Sequence, residues 1–348
     1  MRKIKAKIHL KSIADNAETF KSLTKKKLCA VVKADAYGHG AEEVVFALQG
    51  IADCFAVALL CEAKAIKTPA CSKDVLILSP PIALFEAIET VQNGFVCTVT
   101  GITSARLVAR ASEICKTPAR VHLKVNTGMN RYGMGISELG RVCNFFKTTP
   151  NVKVEGLFSH LHDPFGESAQ KQRARFLQAK RVCGRYYPTI TCHLSATAGA
   201  LLGESFAFDM VRVGIGLYGY LPFGAEKKLP LKKGMSVFAT AVESRKYAYG
   251  AAGYGKELSE SERVKNLTVL RVGYADGFLR DKENGIVAFE KNANNLCMDA
   301  CIQKGKRKRG EEVPILTDAD ETAKQAGTIS YEVLCALARR AERIYLYD

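Results

Sequence analysis

A chain of 348 residues, 47% hydrophobic and 25% charged, is long enough for a barrel of ordinary size plus an appended domain, and it holds neither a low-complexity tract nor an apolar stretch able to cross a bilayer. Its formal net charge of +16 is spread along the chain, the densest runs being residues 25–27 and 304–309, with no recognition motif or interleaved aromatics; nucleic acid is therefore not an expected partner, and the field serves to collect small anions. The basic N-terminus leads into no signal-peptide core, and most of the twelve cysteines, such as Cys29, Cys54, Cys97 and Cys192, sit in apolar segments as small hydrophobes, which together indicate a reduced, cytoplasmic protein. Cys297 and Cys301 are too isolated to mark a metal site.

In chain order, short apolar, β-branched runs recur at residues 28–32, 54–58, 75–78, 95–99, 121–125, 154–158, 191–194 and 210–215, separated by amphipathic segments such as 41–49, 82–90, 103–114 and 167–184. Continuous apolar runs of that length read as strands buried on both faces, and the segments between them can cross from one parallel strand to the next. Eight such units within residues 1–230 predict an α/β fold, the (β/α)8 TIM barrel. Over residues 231–348 the pattern changes to alternating strands at 236–247, 266–272 and 313–316 with a late helix at 330–340, which predicts a mostly β C-terminal domain.

A barrel places its chemistry at the carboxyl ends of its strands. Lys33 ends the first run; an ammonium partly withdrawn from water there is expected to lose basicity until the free amine can attack a carbonyl. Tyr37, beside Gly38 and Gly40, can offer its phenol to a phosphate oxygen from a turn that passes close to a ligand. Lys124 and a loop reaching Arg131 follow the fifth strand, His160 the sixth, His193 and Thr197 the seventh, and Arg212, Gly214 and Ile215 the eighth. The Gly214 turn has bare backbone for a phosphate, with the Thr197 hydroxyl available to the same group. In the second domain Tyr254, between Gly253 and Gly255, suits a residue presented to another surface.

The stretches 32–40, 124–134, 212–219, 253–255, 273–277, 297–299 and 327–332, in that order, resemble alanine racemase nearly end to end. The resemblance implies a pyridoxal 5'-phosphate enzyme and a homodimer with shared active sites that supplies D-alanine for peptidoglycan. It makes Lys33 both the carrier of the cofactor and the base on one face of the amino acid, with Tyr254 of the other subunit the base on the opposite face. His193 and Arg212 would form the charged chain that eases the tyrosine, Arg212 also facing the pyridine nitrogen. By the same resemblance His160, His193, Tyr37, Thr197, Gly214, Ile215 and Tyr331 would bind the cofactor, Arg131 would meet the substrate carboxylate with Tyr274 and Met298 of the partner chain narrowing the entrance and touching it, and Lys124, often carbamylated in relatives, and Asp299 would support them. Residues 285–312 are poorer in apolar alternation than the family pattern, Gln303 stands near the place of a usual aspartate, and Ala196 and Thr197 replace asparagine and serine. These departures leave serine, or several amino acids, open as substrates. A non-enzymatic pyridoxal-phosphate carrier would share the barrel and Lys33 but have no use for the second domain or Tyr254.

Overall fold

Lysines alternate with apolar residues near the N-terminus, and Lys5–His9 (β1) is accordingly a strand with Ala6 and Ile8 buried. The computed structural model describes residues 4–69, 71–225, 229–246, 249–254, 257, 259–263, 265–278, 293–294, 296–337 and 339–348. The chain divides into two compact units. One comprises Ile13–Ala36 and Ala41–Lys232; the other comprises Met1–Ser12, Tyr37–Gly40 and Lys233–Asp348 and so includes β1.

The first unit is the barrel. Its strands are β2 (Lys27–Val31), β3 (Cys54–Val57), β4 (Asp74–Ile77), β5 (Val96–Val99), β6 (Ala119–Lys124), β7 (Val152–Phe158), β8 (Thr191–His193) and β9 (Met210–Val213). They pair in parallel in the order β8-β7-β6-β5-β4-β3-β2-β9. The two ends of that order meet through Asp209 N–H donating to the Cys192 carbonyl at 3.0 Å and Arg212 N–H to the Ser195 carbonyl at 2.9 Å, which closes the sheet. Every expected strand is present. The eighth stops at Val213 rather than at 215, because Gly214 (φ −114°, ψ −94°) leaves the extended region and Ile215–Tyr218 coils into a 3-10 turn.

The turn after β2 is unusual in its backbone. Ala34, Asp35, Ala36 and Tyr37 all have φ between 52° and 54°, a single left-handed turn built without glycine. Each such residue costs about 1–2 kcal/mol. Fixed partners offset that cost: Ala36 N–H donates to the Val32 carbonyl at 2.9 Å, Ala34 N–H to Glu62 Oε1 at 2.7 Å, and the Asp35 carboxylate accepts from Ala41 N–H at 2.7 Å. The sequence pattern indicated a turn here but not its hand.

In the second unit the strands are β10 (Met235–Arg245), β11 (Leu267–Leu270), β12 (Ala293–Asn294), β13 (Cys301–Lys304), β14 (Glu312–Leu316) and β15 (Glu342–Leu346), ordered β12-β13-β11-β10-β1-β15 with β14 also on β10. Strand β1 runs antiparallel to β10 and parallel to β15. The three expected strands correspond to β10, β11 and β14, and the late helix spans Ser330–Leu337. Residues 285–292 and 295 of the divergent stretch, Tyr247 at the expected end of β10, Ala338 within the expected helix, and Gly255 of the Gly–Tyr–Gly motif lie outside the described residues. Among the described residues no helix is long and apolar enough to cross a membrane, and no cluster of three or more His, Cys, Asp or Glu could hold a metal ion.

Candidate active site

Lys33 leaves the carboxyl end of β2 half-buried, and the left-handed turn that follows fixes its exit direction. Around it the barrel gathers cations. Burial first, then the charges of Arg212, Lys124, Arg131 and Lys33, holds the His160 ring well below its ordinary pKa, so four positive groups converge on one neutral imidazole. A mouth with that charge is built for anions such as a phosphate, a phenolate or a carboxylate.

Arg212 is tightly held. Nη1 donates to His193 Nδ1 and to the His193 carbonyl, both at 2.9 Å; Nη2 donates to the Ser159 carbonyl at 2.6 Å and the Leu194 carbonyl at 3.2 Å, with His160 Nδ1 at 3.4 Å. The Phe158 ring lies beneath it, 5.3 Å from Cζ. Burial lowers the guanidinium to about 10, and it stays charged at neutral pH. Its Nη hydrogens are thus spent on the barrel, and only Nε–H has no partner among the described residues.

Lys124 is 6% exposed, its Nζ 4.4 Å from the Phe158 ring centroid, and burial together with Arg212 and Arg131 pushes its amine down to about 7. Between about 7 and the ordinary 10.5 the folded protein binds fewer protons at this site than the unfolded chain, so stability rises with pH across that window. Below it the buried charge is carried in full, at a cost on the order of several kcal/mol. Lys124→Met is expected to raise the melting temperature of the cofactor-free protein by several degrees at about pH 6–7, with the gain fading toward about pH 10. Thermal denaturation across pH in CO2-free buffer checks this, and a gain that does not change with pH would assign the effect to packing.

Near the end of β8, Thr197 Oγ1 accepts from the N–H groups of Gly214 and Gly216, each at 3.3 Å. A Cβ at Gly216 would lie 2.5 Å from the Phe20 ring and 2.9 Å from Thr197 Cγ2, so only glycine lets this backbone close on the threonine. In the second unit Tyr37 and Tyr331 face each other with ring centroids 6.0 Å apart. Burial raises both phenols, Tyr331 to about 12 and Tyr37 further, which keeps them as O–H donors. Tyr274 and Met298 are brought together by backbone bonds, Tyr274 N–H to the Cys297 carbonyl at 3.1 Å and Ala275 N–H to the Met298 carbonyl at 3.0 Å. Arg340 braces both loops, with Nη1 2.9 Å from Asp299 Oδ1 and Nε 3.4 Å from Asp276 Oδ1. Tyr254 is 68% exposed on its turn.

One buried polar residue escaped the reading of the sequence. His122 lies inside β6, its Nδ1 3.0 Å from His193 Nε2, and so extends the Arg212–His193 pair. A lone histidine in an apolar run carries no signal of its own; Arg120, His122 and Lys124 alternating along one strand was the only hint.

A closed parallel barrel whose C-terminal mouth collects a strand-end lysine, an arginine with one free donor and a neutral histidine has the build of a barrel enzyme, with a site suited to an anionic group. Residues 8–222 match the family "Alanine racemase, N-terminal domain" and residues 235–345 match "Alanine racemase, C-terminal domain". The chain is 30% identical to an alanine racemase of Clostridium novyi (strain NT), covering 99% of this chain and 96% of that protein. In structure it is similar to the alanine racemase of Clostridium difficile 630, with a TM-score of 0.89, 26% identity and coverage of 100% and 97% of the two chains. It is also similar to the alanine racemase of Bartonella henselae with covalently bound pyridoxal phosphate, with a TM-score of 0.83, 25% identity and coverage of 99% and 100%. The chain belongs to the alanine racemase family, whose members are isomerases.

Proposed function

We propose that the protein interconverts L-alanine and D-alanine with pyridoxal 5'-phosphate, as a cytoplasmic homodimer whose sites are completed by the partner subunit, and that the D-alanine supplies peptidoglycan. The observation that carries this reading is Arg212, locked by four barrel acceptors with Nε–H left free at a mouth lined by Lys33. The residues present fit the cofactor: a lysine at a strand end, a glycine-threonine cradle suited to a phosphate, and a surplus of positive charge.

When bound, the cofactor supplies an electron-accepting ring that acidifies the α-proton of the attached amino acid. Lys33 would hold it covalently, and Thr197 with the backbone of Gly214 and Ile215 would hold its phosphate; the family resemblance adds the phenols of Tyr37 and Tyr331. Arg212 would donate a hydrogen bond to the ring nitrogen without surrendering its proton, which would make the ring a weaker sink than one paired with an acid. Arg131 would meet the substrate carboxylate, and Tyr274 and Met298, offered by the second subunit, would border the entrance; within each chain Arg340 holds Asp299. Lys33 Nζ takes or returns the α-proton on one face, and the phenol oxygen of Tyr254 from the second subunit does so on the other, because inversion needs a base on each side. His160 and His193 stay neutral beside Arg212 and keep its charge facing the site. Lys124, whose amine is near neutrality at about pH 7, can take up CO2, and its carbamate would set an anion toward Arg131 and Arg212.

The decisive test is L-alanine incubated in deuterated water with enzyme and added cofactor. D-alanine carrying deuterium at the α-carbon is expected. Cofactor binding without α-proton exchange from alanine would overturn the reading, and exchange from serine in preference to alanine would move the substrate.

A further inference from the structure

Strands β6 and β7 pair in register except at one point: Val121 faces Val154 but His122 faces Gly156, so Glu155 is an extra residue in β7. The bulge has two effects. Glu155 turns to Arg120, whose Nε lies 3.0 and 2.9 Å from its carboxylate oxygens, and a glycine comes opposite His122. A Cβ at residue 156 would lie 2.4 Å from His122 Cγ and 2.5 Å from Nδ1, so any side chain there would displace the imidazole. The barrel thus makes a specific place for this ring, which also lines, with Asp74, Arg120 and Glu155, a cavity of about 350 Å³ at the N-terminal ends of the strands.

The direction of each hydrogen bond in the buried chain follows from Arg212, which has donors and no acceptor. Nη1 donates to His193 Nδ1, so the single proton of neutral His193 sits on Nε2. That N–H points at His122 Nδ1, 3.0 Å away, which accepts, leaving the His122 proton on its own Nε2. Stacking on Phe158, with centroids 4.9 Å apart and planes within 6°, fixes the plane of the His193 ring. Without an acceptor at His122 Nδ1, a buried N–H of His193 would have no partner, and the ring would gain by turning or by exchanging tautomers. Either change removes the acceptor that Arg212 Nη1 uses.

We infer that His122 is a positioning residue for Arg212: it sets the tautomer and orientation of His193 and through it presents Arg212 Nε–H to the bound pyridoxal ring. This rests on the reading of Arg212 as the cofactor's partner, and the test separates the two. In the cofactor-free protein, nitrogen NMR should show His193 as the Nε2–H tautomer in wild type and an altered state in His122→Leu; an Nδ1–H tautomer in wild type overturns the inference whatever the cofactor does. With pyridoxal phosphate added, His122→Leu and Gly156→Ala should each weaken cofactor binding, read by absorbance titration, and lower kcat about tenfold or more with little change in KM. His122→Asn, whose amide oxygen replaces Nδ1 as acceptor, should stay within about threefold of wild type. His122→Leu with unchanged affinity and kcat, or His122→Asn as impaired as His122→Leu, would show that the ring only fills space and would overturn the inference. Should wild type itself fail to bind the cofactor, the proposed function fails, while the tautomer measurement still decides the relay.

Discussion

Lys33→Ala is expected to lose racemisation by at least about 10³-fold, since under the proposed function it removes both the attachment point of the cofactor and one of the two proton-transfer groups. The visible absorbance of protein-bound pyridoxal phosphate should vanish after dialysis, where wild type retains it. The fold should survive: Lys33 is half-buried at the mouth, and its truncation leaves no void in the apolar core. Its backbone already sits at the start of a left-handed turn braced by Glu62 and Asp35, so the variant keeps the local geometry and melting temperature should shift by only a few degrees. A small primary amine in the buffer is expected to restore part of the activity by standing in for the missing Nζ. Retention of more than about a tenth of wild-type turnover would exclude Lys33 from the proton transfer, because a positioned base contributes about 10²–10⁴-fold.

Tyr254→Phe tests the second face and the second subunit together. Removing one phenol oxygen is expected to lower racemisation by about 10²–10⁴-fold in both directions, with cofactor absorbance intact. The surviving base should still exchange the α-proton of one enantiomer with solvent, so deuterium washes into one form of alanine without inversion. Loss of exchange from both enantiomers would contradict two separate bases. The side chain is 68% exposed in the single chain, which suits a group offered to another molecule. If each site takes Lys33 from one subunit and Tyr254 from the other, a mixed dimer of Lys33→Ala and Tyr254→Phe chains has one site with both lesions and one with none. Co-refolding equal amounts of the two inactive variants should then restore about a quarter of wild-type activity. No recovery, with mixed dimers demonstrated by mass, would place both bases in one chain.

Much of the barrel was legible in the sequence because a parallel strand buried on both faces leaves a run of apolar residues that needs no partner to be read. Val96–Val99 is buried at all four positions, and its run is plain. Strands β1 and β15 were not legible for the opposite reason: Lys5–His9 alternates with half-exposed lysines, and Glu342–Leu346 has no fully buried residue. Their pairing, residue 5 with residues 238 and 342, is a contact between the two ends of the chain that no local pattern encodes. Strand β13 escaped for a related reason, since Gln303 occupies a buried position where an apolar residue would have marked the inward face.

The class of architecture, the place of Lys33 at a strand end and the identity of the charged residues around it depend on runs and offsets along the chain, so they can be read without the fold. What those residues do to one another follows only from their neighbours in the folded chain. The depressed amine of Lys124 comes first from its burial and then from Arg212 and Arg131, and the one free donor of Arg212 is defined only after His193 Nδ1 and the carbonyls of residues 159, 193 and 194 have taken the rest. The role of His122 depends on a one-residue shift between two strands and on the missing side chain of Gly156. Electrostatic and hydrogen-bond energies fall off over a few ångströms, so they are set by neighbours in space, and only the folded chain says who those neighbours are.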